Sequence, residues 1–137
     1  GPFASSTRRA WSPGAALVGD AADFFDPFTG EGVYSALRGG ELLAPFAAEA
    51  ALADRVAAAR VLAEYERARR DEFRGKWIVE RLISGTIAVP ALINHAARAL
   101  SRRKEMADLL VGVAGDFVPP SQVLKVGYFA RLLLFGV

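Results

Sequence analysis

The 137-residue sequence contains no cysteine and only one histidine, His95. The missing cysteines exclude a disulfide scaffold, a thiolate zinc site, an iron–sulfur cluster and a cysteine nucleophile. One histidine excludes a metal site built from several histidines of this chain, and its neighbours Asn94 and Ala96 offer no acid–base partner, so we expect a structural role for it. The 17 basic and 15 acidic residues nearly balance, which disfavours nucleic acid as a partner.

Long uncharged runs are also missing from the sequence. Residues 83–97 carry no charged side chain, but this stretch is shorter than the ~20 residues of a spanning helix, and Pro90 interrupts it. Residues 1–10 lack the apolar core of a signal peptide. The basic cluster Arg102-Arg103-Lys104 leaves contact with anionic lipid open beside a plain surface turn. We therefore expect a cytoplasmic protein, with peripheral contact to the inner membrane face as an alternative.

The sequence is rich in alanine, with 26 residues, and 53% of it is apolar, which indicates a globular and mainly helical chain. The apolar run 15–18 predicts a short strand, followed by a tight loop and a helix with Thr29 as its N-cap. Pro45 is expected to kink or break that helix. A second helix should begin after Asp54, and its charged run 64–76 should face solvent. Helices are predicted at 55–83, 90–100, 105–113 and 123–135.

The residues best suited to bind a ligand lie between the predicted strand and the start of the first helix. This segment reads Leu17-Val18-Gly19-Asp20-Ala21-Ala22, then Asp26-Pro27-Phe28-Thr29-Gly30-Glu31-Gly32-Val33. Asp20 follows the strand at the position where ligand groups of open α/β sheets lie, and its carboxylate can accept hydrogen bonds from hydroxyl groups. Gly30 and Gly32 allow close backbone approach, and the next helix N-terminus favours negative charge. The pattern predicts a ligand with hydroxyls at one end and developing negative charge at the other.

This segment resembles the second FAD fingerprint of the flavoprotein monooxygenase and geranylgeranyl reductase superfamily. The fingerprint has the form Gly-Asp-Ala-Ala followed by Asp-Pro-x-Thr-Gly-Glu-Gly, and the likeness extends from Leu17 to about Leu43. Residues 73–77 and 115–119 also resemble the helical tail of bacterial FAD-dependent oxidoreductases. The resemblance implies an α/β, Rossmann-like parent flavoprotein of which this chain is a mainly helical, C-terminal portion.

The resemblance implies FAD as the cofactor and assigns roles to eight residues. Asp20, beside Gly19, would bind the ribityl hydroxyls; Pro27 and Thr29-Gly30-Glu31 would line the isoalloxazine edge; the amides of Gly32 and Val33 would meet the flavin N1–C2 carbonyl region. The helix dipole there would stabilise an anionic reduced flavin. Neither a catalytic acid or base nor a metal ligand is implied within this segment.

The same resemblance implies three segments. Residues 1–14 would be the end of a substrate-domain strand and a linker, 15–53 the C-terminal part of the FAD-binding domain, and 54–137 a C-terminal helical region. The chain lacks the Gly-x-Gly-x-x-Gly that follows a strand and holds the ADP half of FAD. We therefore expect a portion of a longer flavoenzyme, inactive when isolated.

The activity implied is that of an FAD-dependent oxidoreductase acting on a small hydrophobic or isoprenoid-like substrate, with NAD(P)H or another reductant as electron donor. Asp23 stands where aromatic hydroxylases more often carry histidine, which favours the reductase type. Thr29-Gly30 stands where flavin halogenases carry a serine-rich loop, which disfavours a halogenase. A monooxygenase stays open, and so do a flavin-dependent aromatic hydroxylase or halogenase and a non-catalytic helical interaction domain that retains a flavin-site segment.

Overall fold

A computed structural model describes residues 5–24 and 32–134 of the chain. These residues form two compact units, divided between Arg74 and Gly75. Five helices account for most of the described residues, which confirms the prediction of a mainly helical chain.

The first unit contains four strands of two residues each: β1 (Ser5–Ser6), β2 (Trp11–Ser12), β3 (Ala15–Ala16) and β4 (Asp23–Phe24). β1 pairs with β4 and β2 pairs with β3, both antiparallel. Gly14, in the left-handed region with φ of +83°, allows the tight turn between β2 and β3. A strand lies within the predicted range 15–18, at Ala15–Ala16, but the expectation that it is the only strand is wrong. Segments predicted as irregular supply the other strands, which are too short to show a period.

Two long helices follow these strands. α1 spans Gly32–Leu52 and α2 spans Arg55–Ile87. The expected break at Pro45 is wrong, since α1 continues past it. Leu42, Leu43 and Phe46 pack against the buried residues Ala10, Ala22 and Tyr65, and this packing on both sides of the proline offsets the one backbone hydrogen bond that proline removes.

The predicted cap of α2 is present. One carboxylate oxygen of Asp54 accepts hydrogen bonds from the backbone amides of Val56, at 2.8 Å, and Ala57, at 2.9 Å. This satisfies two of the amides that the first helical turn cannot pair internally. α2 then extends four residues beyond its expected end at residue 83.

The second unit contains the end of α2 and three further helices, α3 (Pro90–Arg102), α4 (Lys104–Ala114) and α5 (Val126–Leu134). Its core contains Val79, Met106, Val113, Val123 and Tyr128. Pro90 occupies the first turn of α3, where its missing amide costs nothing. The ring Nε2 of His95 donates a hydrogen bond of 3.1 Å to the carbonyl of Leu132, so this histidine ties α3 to α5.

The chain bends sharply between α2 and α3, by 113°. Within 5–24 and 32–134, no single helix is both long enough and apolar enough to cross a membrane. The two helices meet that length and composition test only as a bent pair.

Candidate functional site

Four of the eight predicted site residues lie in the described part of the chain: Gly19, Asp20, Gly32 and Val33. The other four, Pro27, Thr29, Gly30 and Glu31, lie outside the described residues. The N-cap that we expected for the first helix, Thr29, therefore also lies outside them. The geometry of the site is therefore built from the Asp20 turn and the beginning of α1.

Gly19 opens a 3-10 turn, Gly19–Ala21, that lies against α1. Its φ of +56° is in the left-handed region. A Cβ atom added here would lie 2.9 Å from the Cβ atom of Ala36. Glycine is needed at this position both for backbone conformation and for close approach to the helix.

The Asp20 carboxylate lies against the first residue of α1. A Cβ atom added to Gly32 would lie 3.4 Å from Oδ1 and 3.7 Å from Oδ2 of Asp20. Asp20, Gly32 and Val33 are all exposed. The structure thus brings a carboxylate and the N-terminus of a 21-residue helix together at an accessible surface, where an acceptor for hydroxyl groups adjoins amides that favour negative charge.

A buried ion-pair network fastens the chain next to this turn. Asp23, three residues after Asp20 and on β4, pairs with Arg69 of α2. The two side chains are only 9% and 4% exposed, respectively. Arg69 also contacts Glu66 at 3.3 Å. The network thereby holds the strand that leaves the Asp20 turn onto α2.

Glu66 is the centre of this network. One of its oxygens accepts a hydrogen bond from the backbone amide of Ala10 at 2.8 Å, and the other accepts one from the Arg70 guanidinium at 2.7 Å. Burial by itself would raise the pKa of Glu66, but these hydrogen bonds and the nearby Arg69 charge outweigh it and hold the pKa below its usual range. Burial likewise opposes the charge of Arg69, yet Asp23 and Glu66 raise its pKa above the ordinary value. Glu66 and Arg69 are therefore both charged at neutral pH.

The expectation that the charged run 64–76 faces solvent is wrong for three of its members, because Glu66, Arg69 and Lys76 are buried. Alternating charges at helical spacing are typical of a solvated face. The partner that buries Arg69, Asp23, lies 46 residues away in sequence. No local spacing reveals such a pair, and sequence reasoning missed it for that reason.

Tyr65 fixes the chain on the other side of the turn. Its ring is fully buried and packs against Phe46, with ring centroids 6.1 Å apart. Its hydroxyl donates a hydrogen bond of 2.7 Å to the carbonyl of Leu17, two residues before Gly19. Burial raises the pKa of Tyr65, so the hydroxyl keeps its proton for this bond. Both ends of the Asp20 turn are thus anchored to α2.

In the second unit, the two segments that resemble an oxidoreductase tail lie together. The Lys76 ammonium forms a mostly buried ion pair with Asp116. Asp116 has a φ of +60°, a conformation that aspartate tolerates better than most residues. A Cβ atom on Gly75 would lie 3.1 Å from Pro120, so the glycine allows the loop after Asp116 to approach the helix closely. These contacts hold the second unit together.

The described part of the chain contains no cluster of metal-ligating side chains. There, no group of three or more histidine, cysteine, aspartate or glutamate side chains is arranged to hold a metal ion. Comparisons of the chain with protein-family models, with curated proteins and with solved structures gave no significant match.

Proposed function

We propose that this chain supplies the flavin-ring side of an FAD site in an oxidoreductase. The observation that carries the proposal is the position of the Asp20 carboxylate against Gly32, at the first residue of α1. FAD carries hydroxyls on its ribityl chain and gains negative charge on its ring when reduced. A carboxylate beside a helix N-terminus matches both properties.

The residues at the turn fit such a group. A Cβ atom on Gly32 would lie within van der Waals distance of the Asp20 carboxylate, so the carboxylate lies next to the first residue of α1. Both residues are exposed, so a ligand can reach them. The turn itself is fixed by Tyr65 on one side and by the Asp23–Arg69 pair on the other, which preorganises the carboxylate for binding.

In this proposal Asp20 accepts hydrogen bonds from the ribityl hydroxyls, and the amides of Gly32 and Val33 face the N1–C2 carbonyl region of the ring. Pro27, Thr29, Gly30 and Glu31 line the ring edge, as the resemblance implies. Bound FAD would supply hydride transfer or oxygen activation. The chain's own residues bind and orient the ring and favour its negative charge.

The proposed parent protein is an α/β, Rossmann-like flavoprotein whose Gly-x-Gly-x-x-Gly segment holds the ADP half of FAD. It would be a reductase or a monooxygenase that acts on a small hydrophobic or isoprenoid-like substrate, with NAD(P)H or another reductant as electron donor. Asp23 stands where aromatic hydroxylases more often carry histidine, and this supports the reductase type.

The test is the flavin content of the full-length product of the reading frame that encodes this chain. We expect a yellow protein with the flavin absorbance band. Replacing Asp20 by Asn removes the charge at constant shape and should weaken FAD binding about tenfold or more, since a hydrogen bond to a charged group contributes roughly 1.5–3 kcal/mol. Asp71→Asn, at an exposed position of α2, is the matched control and should leave FAD binding unchanged.

Two outcomes would contradict the proposal. A colourless wild-type product that does not bind added FAD would favour the non-catalytic interaction domain. An Asp20→Asn variant with wild-type FAD affinity but a lower melting temperature would show that the carboxylate only stabilises the start of α1.

A further inference from the structure

Apolar side chains point outward at the bend between α2 and α3. We define the apolar elbow as Ile87, Val89, Leu92 and Ile93, each between 36% and 45% exposed. α2 ends at Ile87 and α3 begins at Pro90. The four exposed side chains therefore lie on both sides of the bend, within seven residues of sequence. Single exposed apolar residues need no explanation, but a contiguous group marks an interaction surface.

Four backbone amides between Ala88 and Ile93 are hydrogen-bonded within the chain. The amides of Ala88 and Val89 donate to the carbonyls of Ser84 and Thr86, at 3.1 and 3.2 Å. The amides of Leu92 and Ile93 both donate to the carbonyl of Val89, at 2.9 and 3.1 Å, and Pro90 has no amide hydrogen. The Thr86 hydroxyl donates to the carbonyl of Leu82 at 2.7 Å. These groups need no water, which is the condition for entering an apolar environment.

The residues from 81 to 104, on both sides of the elbow, carry charge of one sign, although α2 as a whole carries both signs. From residue 81 to residue 104 the sequence has five basic residues and no acidic one: Arg81, Arg98, Arg102, Arg103 and Lys104. The whole chain is nearly balanced, so the excess is local. Lys104 pairs with Asp108 at 3.1 Å, but both side chains are exposed and such a pair contributes little.

The spacing of the nearest arginines matches the depth of a lipid interface. Arg81 lies six residues before Ile87, and Arg98 lies six residues after Leu92. Six helical residues rise about 9 Å along the helix axis, and less than that along the membrane normal because the bend tilts the helices. An apolar face that enters the boundary between headgroups and acyl chains is buried by roughly 5–10 Å. With the elbow in that boundary, both exposed arginines would lie at the level of the lipid phosphates.

We propose that the apolar elbow docks this protein onto an anionic lipid surface, entering one leaflet without crossing it. The occupant is lipid rather than protein, because the basic residues from 81 to 104 complement anionic headgroups. The amides of Ala88, Val89, Leu92 and Ile93 are also already hydrogen-bonded within the chain. The proposal goes beyond the flavin site and does not depend on it.

The absence of cysteine allows a direct test, because one introduced cysteine gives a single labelling site. An environment-sensitive fluorophore attached to the cysteine of Leu92→Cys reports on the elbow. Val111→Cys, on α4 and 69% exposed, is the matched control. With vesicles of phosphatidylcholine and phosphatidylglycerol, the label at residue 92 should shift to the blue and that at residue 111 should not. Vesicles of phosphatidylcholine alone should give a much smaller shift.

Charge and apolar contributions are then separated by vesicle co-sedimentation. Arg98→Gln should weaken partitioning into the anionic vesicles about fivefold, and added salt should weaken it further. Leu92→Glu should weaken it on the order of tenfold or more, whereas Val111→Glu should have no effect. Circular dichroism should show unchanged helix content, since all three positions are exposed.

Three results would overturn the proposal. The first is an unshifted label at residue 92 with anionic vesicles, and the second is an equal shift at residues 92 and 111. The third is a blue shift at residue 92 without vesicles that follows protein concentration and a doubled mass in light scattering, because a second copy of the chain would then cover the elbow.

Discussion

Replacing Gly19 by Ala tests whether the Asp20 turn is pressed onto α1. The new Cβ atom would lie 2.9 Å from the Cβ atom and 3.1 Å from the Cα atom of Ala36. The backbone φ of +56° also strains any residue other than glycine. Left-handed strain costs about 1–2 kcal/mol, and forcing an extra methyl into a packed contact costs about 1–3 kcal/mol. We expect Gly19→Ala to lower the free energy of unfolding by about 2–5 kcal/mol.

Two further variants isolate the contact with the helix. Gly14→Ala introduces left-handed strain at φ of +83°, but a Cβ atom there meets nothing within 4 Å, so this variant should show the strain alone. Ala36→Gly removes the clashing methyl group, and its combination with Gly19→Ala completes a double-mutant cycle. The expected coupling is about 1–2 kcal/mol in favour of the double variant.

Urea unfolding followed by far-ultraviolet circular dichroism measures all four variants. If Gly19→Ala costs no more than Gly14→Ala and the cycle shows no coupling, the turn does not pack on α1. The position of Asp20 against Gly32 would then lose its structural basis, and the reasoning about the site would be refuted.

The remaining predictions concern the buried network that holds the turn. Arg69→Met leaves the buried carboxylates of Asp23 and Glu66 without this guanidinium and should lower the free energy of unfolding in urea by about 3–5 kcal/mol. Adding Asp23→Leu should recover part of that loss. An Arg69→Met variant as stable as the wild type would show that the pair is not formed. The folded-state pKa of Glu66 lies below its ordinary value of 4.5. Its contribution to stability is therefore fully present above about pH 4.5 and is lost as the pH falls through the lower folded-state pKa. Melting temperatures measured from pH 7 downward should show this loss, with a shallower decline in Glu66→Gln; identical slopes would contradict it.

The helices could be predicted from the sequence because their signals are local. Asp54 caps α2 and Pro90 starts α3, as their residue types indicate. Continuation through Pro45 could not be predicted, because it depends on packing of α1 against Tyr65, whose position follows from the fold. The two-residue strands were missed for another reason: they are too short for a period of two to appear.

Of the candidate site, the sequence predicted Asp20 and Gly32, and these two residues lie close together in the structure. The supports of the turn were not predictable, since the Asp23–Arg69 pair and the Tyr65–Leu17 bond join residues 46 and 48 positions apart. Long-range partners of this kind appear only when the chain is folded. They matter here because they fix the turn from which Asp20 projects.

In the proposed function, the Asp20 turn and the first turn of α1 form one face of an FAD site. The most direct test is amide hydrogen exchange of the full-length product with and without FAD. We predict slower exchange at residues 19–22 and 32–35 when FAD binds, and loss of this protection in Asp20→Asn at equal FAD concentration. Bound FAD that protects other segments while leaving these two unchanged would contradict the claim.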